Sequence, residues 1–194
     1  MDVRNREAPQ WAELSDEQVV ALALDDRGHF RLLYQRYADR IYWYATARTG
    51  SQTVADDVVS ESMLAALEHL ERWDPRRGTF AAWLFVIAQR KVVDQQRAYQ
   101  RLRRLAARMQ QLREPETDVD ALDQLLAGER ASDVQAALRQ LARKDREIIA
   151  LRFAAGLSGE EIAAVLEISH VAARKRLSRA QQRLAERIEA ARDG

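Results

Sequence analysis

The stretch Leu157-Ser158-Gly159-Glu160-Glu161-Ile162-Ala163-Ala164-Val165-Leu166-Glu167-Ile168-Ser169 holds the residues best suited to a definite chemistry, the reading of a DNA groove. The Ser158 hydroxyl can accept a hydrogen bond from an orphaned backbone N–H at the start of a first short helix. Ile162, Ala163 and Leu166 recur at helical spacing and give that helix one buried face. Ser169 offers a second cap only three residues after Leu166, which leaves room for nothing but a tight turn. From there the chain runs without Gly or Pro to Asp193, so one long second helix is expected. Ala173, Leu177, Ala180, Leu184 and Ile188 keep to one stripe facing a core, while Val171, Lys175, Ser178, Arg179 and Gln182 project roughly opposite, with Arg174 at the flank. Between Ser169 and Arg192 stand seven basic residues and two acidic ones, an excess that the whole-chain net charge of +1 conceals. A major groove admits one helix, and Arg or Lys on its first turns can reach guanine O6 and N7 or phosphate oxygens. A basic face on a bundle helix is usually only solvated; the turn directly before this one favours DNA.

Other chemistries find no support in the sequence. His29, His69 and His170 are isolated, no His pair stands at i,i+4, and there is no Cys. Asp25/Asp26 and Asp56/Asp57 are adjacent pairs, which point to different sides of a helix. No Gly-rich phosphate loop and no nucleophile elbow occurs. The expectation is a protein that is not an enzyme, with no catalytic residues, no metal ligands and no cofactor.

The elements that must position the basic helix are helical as well. Gly (7) and Pro (3) are scarce among 194 residues, no Val/Ile/Thr-rich alternating run occurs, and 47% hydrophobic residues suffice for a core. The fold expected is all-α. Absence of Cys excludes disulfides and fits a reducing compartment. No apolar run approaches the roughly 20 residues of a membrane span, and Met1-Asp2-Val3-Arg4-Asn5-Arg6-Glu7 lacks the apolar core of a signal peptide. A soluble, cytoplasmic protein without membrane insertion is expected.

Along the chain, residues 1–14 read as a loose tail. Ser15 as cap with Gln18 three residues later marks a helix start. Helical segments are expected at about 16–25, 28–49 and 53–71, the last after the break Gly50-Ser51-Gln52-Thr53. Asp74-Pro75-Arg76-Arg77-Gly78-Thr79 is a loop, since Pro75 and Gly78 both oppose helix. Phe80 to about Arg108 then reads as a long helix, apolar early and basic late. Charge changes sign beyond it: Glu114, Glu116, Asp118, Asp120 and Asp123 follow the block Arg97, Arg101, Arg103, Arg104 and Arg108. Helical period resumes near Ser132 and runs through Leu138, Leu141, Ile148 and Leu151 to Gly156. Two small helical domains, 15–108 and 132–194, joined by a flexible acidic linker at 109–131, are the outcome.

With both halves placed, the chain resembles a bacterial RNA polymerase sigma factor of the extracytoplasmic-function group of the sigma-70 family. The likeness covers about residues 20–108 and 130–190. In the second half it rests on Asp145-Arg146-Glu147-Ile148-Ile149-Ala150-Leu151-Arg152-Phe153, Gly156-Leu157-Ser158, Glu161-Ile162-Ala163 and Arg176-Leu177-Ser178-Arg179-Ala180. In the first half it rests on Leu33-Tyr34-Gln35-Arg36-Tyr37, Asp57-Val58-Val59, Asp74-Pro75-Arg76-Arg77-Gly78 and Trp83-Leu84-Phe85-Val86-Ile87-Ala88. The resemblance implies a sigma region 2 helical bundle and a sigma region 4 helix-turn-helix. It further implies binding to core RNA polymerase, through the coiled coil of the largest subunit and the flap, and to promoter DNA.

Carried over by position, the family's −35 contacts fall on Arg174, Lys175, Ser178 and Arg179, nearly the set that helical projection reaches alone. Arg176 and Arg183 are left to touch phosphate or stay solvated. The −10 contacts, on a parted strand, fall on Arg76, Arg77, Gly78 and Thr79 in the loop and on Arg90, Lys91 and Asp94 on the following helix. Single-strand capture wants a polar loop, cationic walls and stacking surfaces; Trp73 and Trp83 flank the loop, but both read as core. Polymerase docking falls on Asp57 and Glu61, one helical turn apart. The chain departs from the family's usual residues at Ser60, Met63, Leu67, Arg90 and Glu167, and Glu167 costs turn strain if its φ is positive. An anti-sigma factor that clamps both domains would suit the tether. Two rivals differ in class: a dimeric helix-turn-helix regulator that ignores polymerase, and a sigma mimic that titrates an anti-sigma protein without binding DNA.

Overall fold

Serine caps open four of the helices in the computed structural model, which describes residues 13–110 and 133–192. Ser15 Oγ accepts the Gln18 N–H (3.3 Å) and Gln18 Oε1 accepts the Ser15 N–H (2.8 Å), starting α1 (Asp16–Asp25). The Asp26 carboxylate then takes the Gly28 N–H at 2.9 Å and tightens Arg27–His29 into a 3-10 turn. For that reason α2 (Phe30–Thr49) begins two residues after the expected position 28. Gly50 ends α2 at φ 74°, a left-handed conformation open to glycine at little cost, and Ser51 caps α3 (Gln52–Glu68). That helix stops short of the expected residue 71, and Leu70–Arg72 forms a second 3-10 turn. The Asp74 carboxylate accepts the Arg76 N–H (2.9 Å) and shapes Pro75–Arg77 into a third. Thr79 Oγ1 accepts the Ala82 N–H (3.1 Å) at the start of α4 (Phe80–Gln110).

In the second half the single helical run expected from about 132 to 156 is divided. Ala142 adopts ψ 144° and separates α5 (Asp133–Gln140) from α6 (Arg143–Ile149). The Arg146 guanidinium accounts for the break: its Nη2 donates to the Arg139 and Leu141 carbonyls (2.6 and 3.2 Å), which helical bonding would otherwise engage. One π-helical turn, Ala150–Ala154, leads to α7 (Gly159–Val165) and α8 (His170–Arg192). Every regular element among the described residues is helical. The acidic stretch read as a linker lies outside them except for residues 109 and 110, which belong to α4. The tail lies outside them up to residue 12.

Tyr37, Ile41, Tyr44, Val58, Phe80, Leu84 and Phe85 fill the first core, all buried, and Ile148, Leu151, Leu157, Ile162, Ala173 and Ala180 fill the second. The Tyr37 hydroxyl donates to Asp16, tying α1 to α2. Burial, then Asp16, pushes the Tyr37 phenol far above its ordinary value, and burial does the same for Tyr44. The two cores form one continuous cluster. Helix α2 lies against the π turn and α6, and α4 lies against α7. Arg40 Nε donates to the Ala155 carbonyl at 2.7 Å, and Gln89 Nε2 to Glu147 Oε1 at 2.9 Å.

Candidate nucleic-acid interfaces and polymerase face

The helix-turn-helix is assembled by local bonds. Ser158 Oγ accepts the Glu161 N–H (3.2 Å) and Glu161 Oε2 accepts the Ser158 N–H (2.8 Å), a reciprocal cap at the start of α7. Glu167 sits in the turn at φ 53°, the one non-glycine residue with positive φ among those described. A side chain there costs on the order of 1 kcal/mol. The Ile168 N–H closes the turn onto the Ala163 carbonyl at 3.0 Å, and Ser169 Oγ takes the Ala172 N–H at 3.2 Å as the cap of α8.

Ala173 and Ala180 anchor α8 in the core, with Leu177 and Leu184 partly buried beside them. The opposite face presents Arg174, Lys175, Ser178 and Arg179, all exposed. None of the four carries a side-chain hydrogen bond or ion pair among the described residues. Two other basic residues of α8 differ from the expectation that they touch phosphate or stay solvated. Arg183 Nη1 pairs with the buried Asp145 carboxylate at 2.6 Å, and Arg176 Nη2 donates to the Lys144 carbonyl. Both point toward α6 because they lie nearer the Ala173–Ala180 stripe, and they hold α8 in place.

In the first half Arg76, Arg77, Gly78 and Thr79 are all exposed. Gly78 has φ 148°, and nothing lies within 4 Å of where a Cβ would stand. Trp73 Nε1 donates to the Gly78 carbonyl at 3.3 Å and so braces the loop from inside. Phe80 meets the Trp73 ring at 5.7 Å and the Trp83 ring at 5.5 Å, which places both indoles with the core, as read from the sequence. On α4, Arg90 is exposed, and Asp94 is exposed beside Arg97 at 3.7 Å. Lys91 is rotated about 100° from Arg90 and turns toward α3, where it pairs with Glu61 at 3.3 Å.

That pair joins two groups of residues that the sequence kept apart, the −10 set and the polymerase set. Glu61 also accepts from Gln95 Nε2 at 3.2 Å. Asp57 is exposed and has no partner among the described residues, so of the two it is the one free for an incoming cation. Thr79 is likewise engaged: its hydroxyl donates to Glu161 Oε1 on α7 at 2.8 Å, which sets the loop before α4 against the helix-turn-helix. Sequence reasoning missed Arg48 and Glu147, which meet across the junction of the halves at 3.5 Å. A signal was present: Leu33, Tyr37, Ile41 and Tyr44 form an apolar stripe on α2 that continues to Arg48. Among the described residues no group of three or more His, Cys, Asp or Glu could hold a metal ion, and no helix is long and apolar enough to cross a membrane.

Two helical units in this order, one ending in a basic helix-turn-helix, describe the sigma-70 architecture. Residues 33–106 match the family model of sigma-70 region 2, and residues 131–184 match that of sigma-70 region 4. The ECF RNA polymerase sigma factor SigD of Mycobacterium tuberculosis is 34% identical over 93% of this chain and 87% of its own length. SigE of Mycolicibacterium smegmatis is 31% identical over 90% of this chain and 69% of its own. Among solved structures, CnrH in complex with the cytosolic domain of CnrY superposes with a TM-score of 0.65 at 30% identity, covering 90% of this chain and 97% of that one. RpoE from Bartonella quintana, solved with the anti-sigma factor NepR, shares the fold at a TM-score of 0.60 and 22% identity, over 85% of this chain and 97% of that one. This chain belongs to the ECF RNA polymerase sigma factors of the sigma-70 family.

Proposed function

We propose that the chain is a promoter-specificity subunit that binds core RNA polymerase and directs initiation in the cytoplasm, leaving the chemistry to the polymerase. In this reading Arg174, Lys175, Ser178 and Arg179 contact the −35 duplex. Arg76, Arg77, Gly78 and Thr79, with Arg90, Lys91 and Asp94, receive the parted −10 strand. Asp57 carries the contact to polymerase, and Glu61 joins it when it releases Lys91. The observation that carries the reading is the face of α8: four polar or cationic side chains, exposed and unpaired among the described residues, on a helix capped and anchored from behind. Phosphate contacts add affinity without sequence selectivity, and base contacts supply the selectivity.

Base capture at the loop requires Thr79 to leave Glu161, so the halves separate as promoter DNA is engaged. A regulatory protein that favours the packed arrangement would oppose this step, and an anti-sigma factor is the partner this reading implies. CnrH, which this chain resembles, was itself solved with a second protein bound, the cytosolic domain of CnrY. The test is selection of duplexes from a randomised pool by the chain on core polymerase, then run-off transcription from the selected sequence. A discrete transcript that needs both the chain and the selected sequence is expected. Failure to co-purify with core polymerase would leave the dimeric regulator standing, and co-purification without promoter-dependent transcript would favour the mimic.

A further inference from the structure

Between the two halves lies a cavity of about 480 Å³, within the roughly 300–1,000 Å³ of small-molecule sites. Both halves build its wall: Arg48 at the end of α2 and Gln95 and Tyr99 on α4 face Arg139, Arg143 and Arg146 from α5 and α6. Among the described residues four guanidinium groups line it, and no Asp or Glu does. Pairing within this wall is incomplete. Arg48 is 1% exposed, yet its Nε and Nη2 have no hydrogen-bond partner among the described residues. Its Nη1 reaches the Arg143 carbonyl only at 3.5 Å. Nη2 stands 3.5 Å from Glu147 Oε1, close enough to attract it, but that oxygen already accepts from Gln89. Arg146 Nε is buried without a partner among the described residues, and burial, then Arg48 and Arg139, pull its guanidinium below the ordinary value. Arg139 and Arg143 carry no side-chain ion pair among the described residues. At Gly50, φ 74°, the position of a Cβ lies 3.4 Å from Arg139 Nε, so glycine keeps the wall open beside a cation.

Clustered guanidinium groups in a partly dehydrated wall are stabilised by an anion with several acceptor oxygens. Phosphate fits best, because its oxygens match the planar guanidinium fork two bonds at a time. The volume is larger than a lone phosphate fills, and Gln95 and Tyr99 add a neutral polar side suited to a sugar or base. We propose that this interdomain cavity binds a nucleotide carrying at least two phosphates, and that the bound nucleotide holds the two halves together. The second part follows from the origin of the wall. A ligand that contacts both halves binds the packed arrangement better than the separated one, and shifts the population toward it by that difference. Its consequence for transcription rests on the proposed sigma-factor function, since Thr79 stays on Glu161 in the packed arrangement; the binding itself does not.

Calorimetric titration of the full chain with adenosine and guanosine tri-, di- and monophosphates, the nucleosides and inorganic phosphate tests it. Affinity should rise at least tenfold from monophosphate to triphosphate. Arg139→Gln with Arg143→Gln should lower it at least tenfold; both side chains are exposed, so the thermal midpoint without nucleotide should be unchanged. The chain has no cysteine, so dyes at Glu68→Cys and Glu189→Cys report the distance between halves, and nucleotide should narrow it to a single population. No saturable binding at millimolar nucleotide overturns the proposal, as does binding no tighter than inorganic phosphate or unaffected by the double substitution. Loss of nucleotide binding in Arg174→Ala with Arg179→Ala would move the anion to the DNA-reading helix and overturn it too. Normal nucleotide binding with no promoter-dependent transcript leaves this site standing and removes the transcriptional function instead.

Discussion

Arg179 and Arg183 lie four residues apart on α8; the sequence assigns Arg179 to the −35 contacts and leaves Arg183 to phosphate or solvent. The structure gives them different work. Arg179 is exposed and has no side-chain hydrogen bond or ion pair among the described residues, so Arg179→Ala removes none of these. If its guanidinium makes a bidentate base contact, duplex binding weakens by about 1–3 kcal/mol, which is about a 5- to 150-fold rise in Kd. Arg183 donates to the buried Asp145 carboxylate at 2.6 Å, but its own side chain is 56% exposed. A charged hydrogen bond is worth about 1.5–3 kcal/mol; solvent screening of the exposed partner reduces that to about 1 kcal/mol. Arg183→Ala should therefore lower Tm by about 2–4 °C and leave sequence selectivity intact. The assay is fluorescence anisotropy on specific and scrambled −35 duplexes across a salt series, with thermal melts of each variant. An Arg179→Ala variant with unchanged affinity for the specific duplex would exclude a base contact by Arg179. An Arg183→Ala variant that keeps full stability and reduces the salt slope by about 1, the signature of a phosphate contact, would equally refute the role given to Arg183.

Glu167 holds φ 53°, so Glu167→Gly should stabilise the chain by up to about 0.5 kcal/mol once glycine's greater chain entropy is set against the relieved strain; denaturant midpoints read this directly. Asp57→Lys with Glu61→Lys should cut co-purification with core polymerase while isolated −35 duplex binding persists, and Asp57→Lys alone should account for most of the loss because Glu61 is engaged by Lys91 and Gln95. Tyr37 and Tyr44 have phenols raised above their ordinary value of 10.0. Their unfolded forms ionise first as pH rises, so the stability they contribute is complete below about pH 10 and is lost above it. Melting at pH 9, 10 and 11 should show this alkaline decline, diminished in Tyr37→Phe. An undiminished decline in Tyr37→Phe would remove that residue from the account.

Local features were legible without a structure. Ser15 with Gln18, Ser158 with Glu161, and Ser169 before α8 are caps whose partners stand three residues away, and the left-handed turn at Glu167 is a property of one short segment. Helical period alone puts Lys175, Ser178 and Arg179 outside, with Arg174 at the flank, because a buried Ala173–Ala180 stripe dictates which side remains exposed; the resemblance supplies the exact set of four. Only the tertiary structure decided the rest. Arg183 finds Asp145 across 38 residues of chain, Lys91 finds Glu61, Thr79 finds Glu161 across 82, and Arg48 is buried where the halves meet. The physical reason is range. A backbone cap or a helical face is set by residues within one or two turns, and their spacing is written in the chain. A charged side chain at a packing surface chooses among partners brought near by burial elsewhere, and no local spacing records that choice.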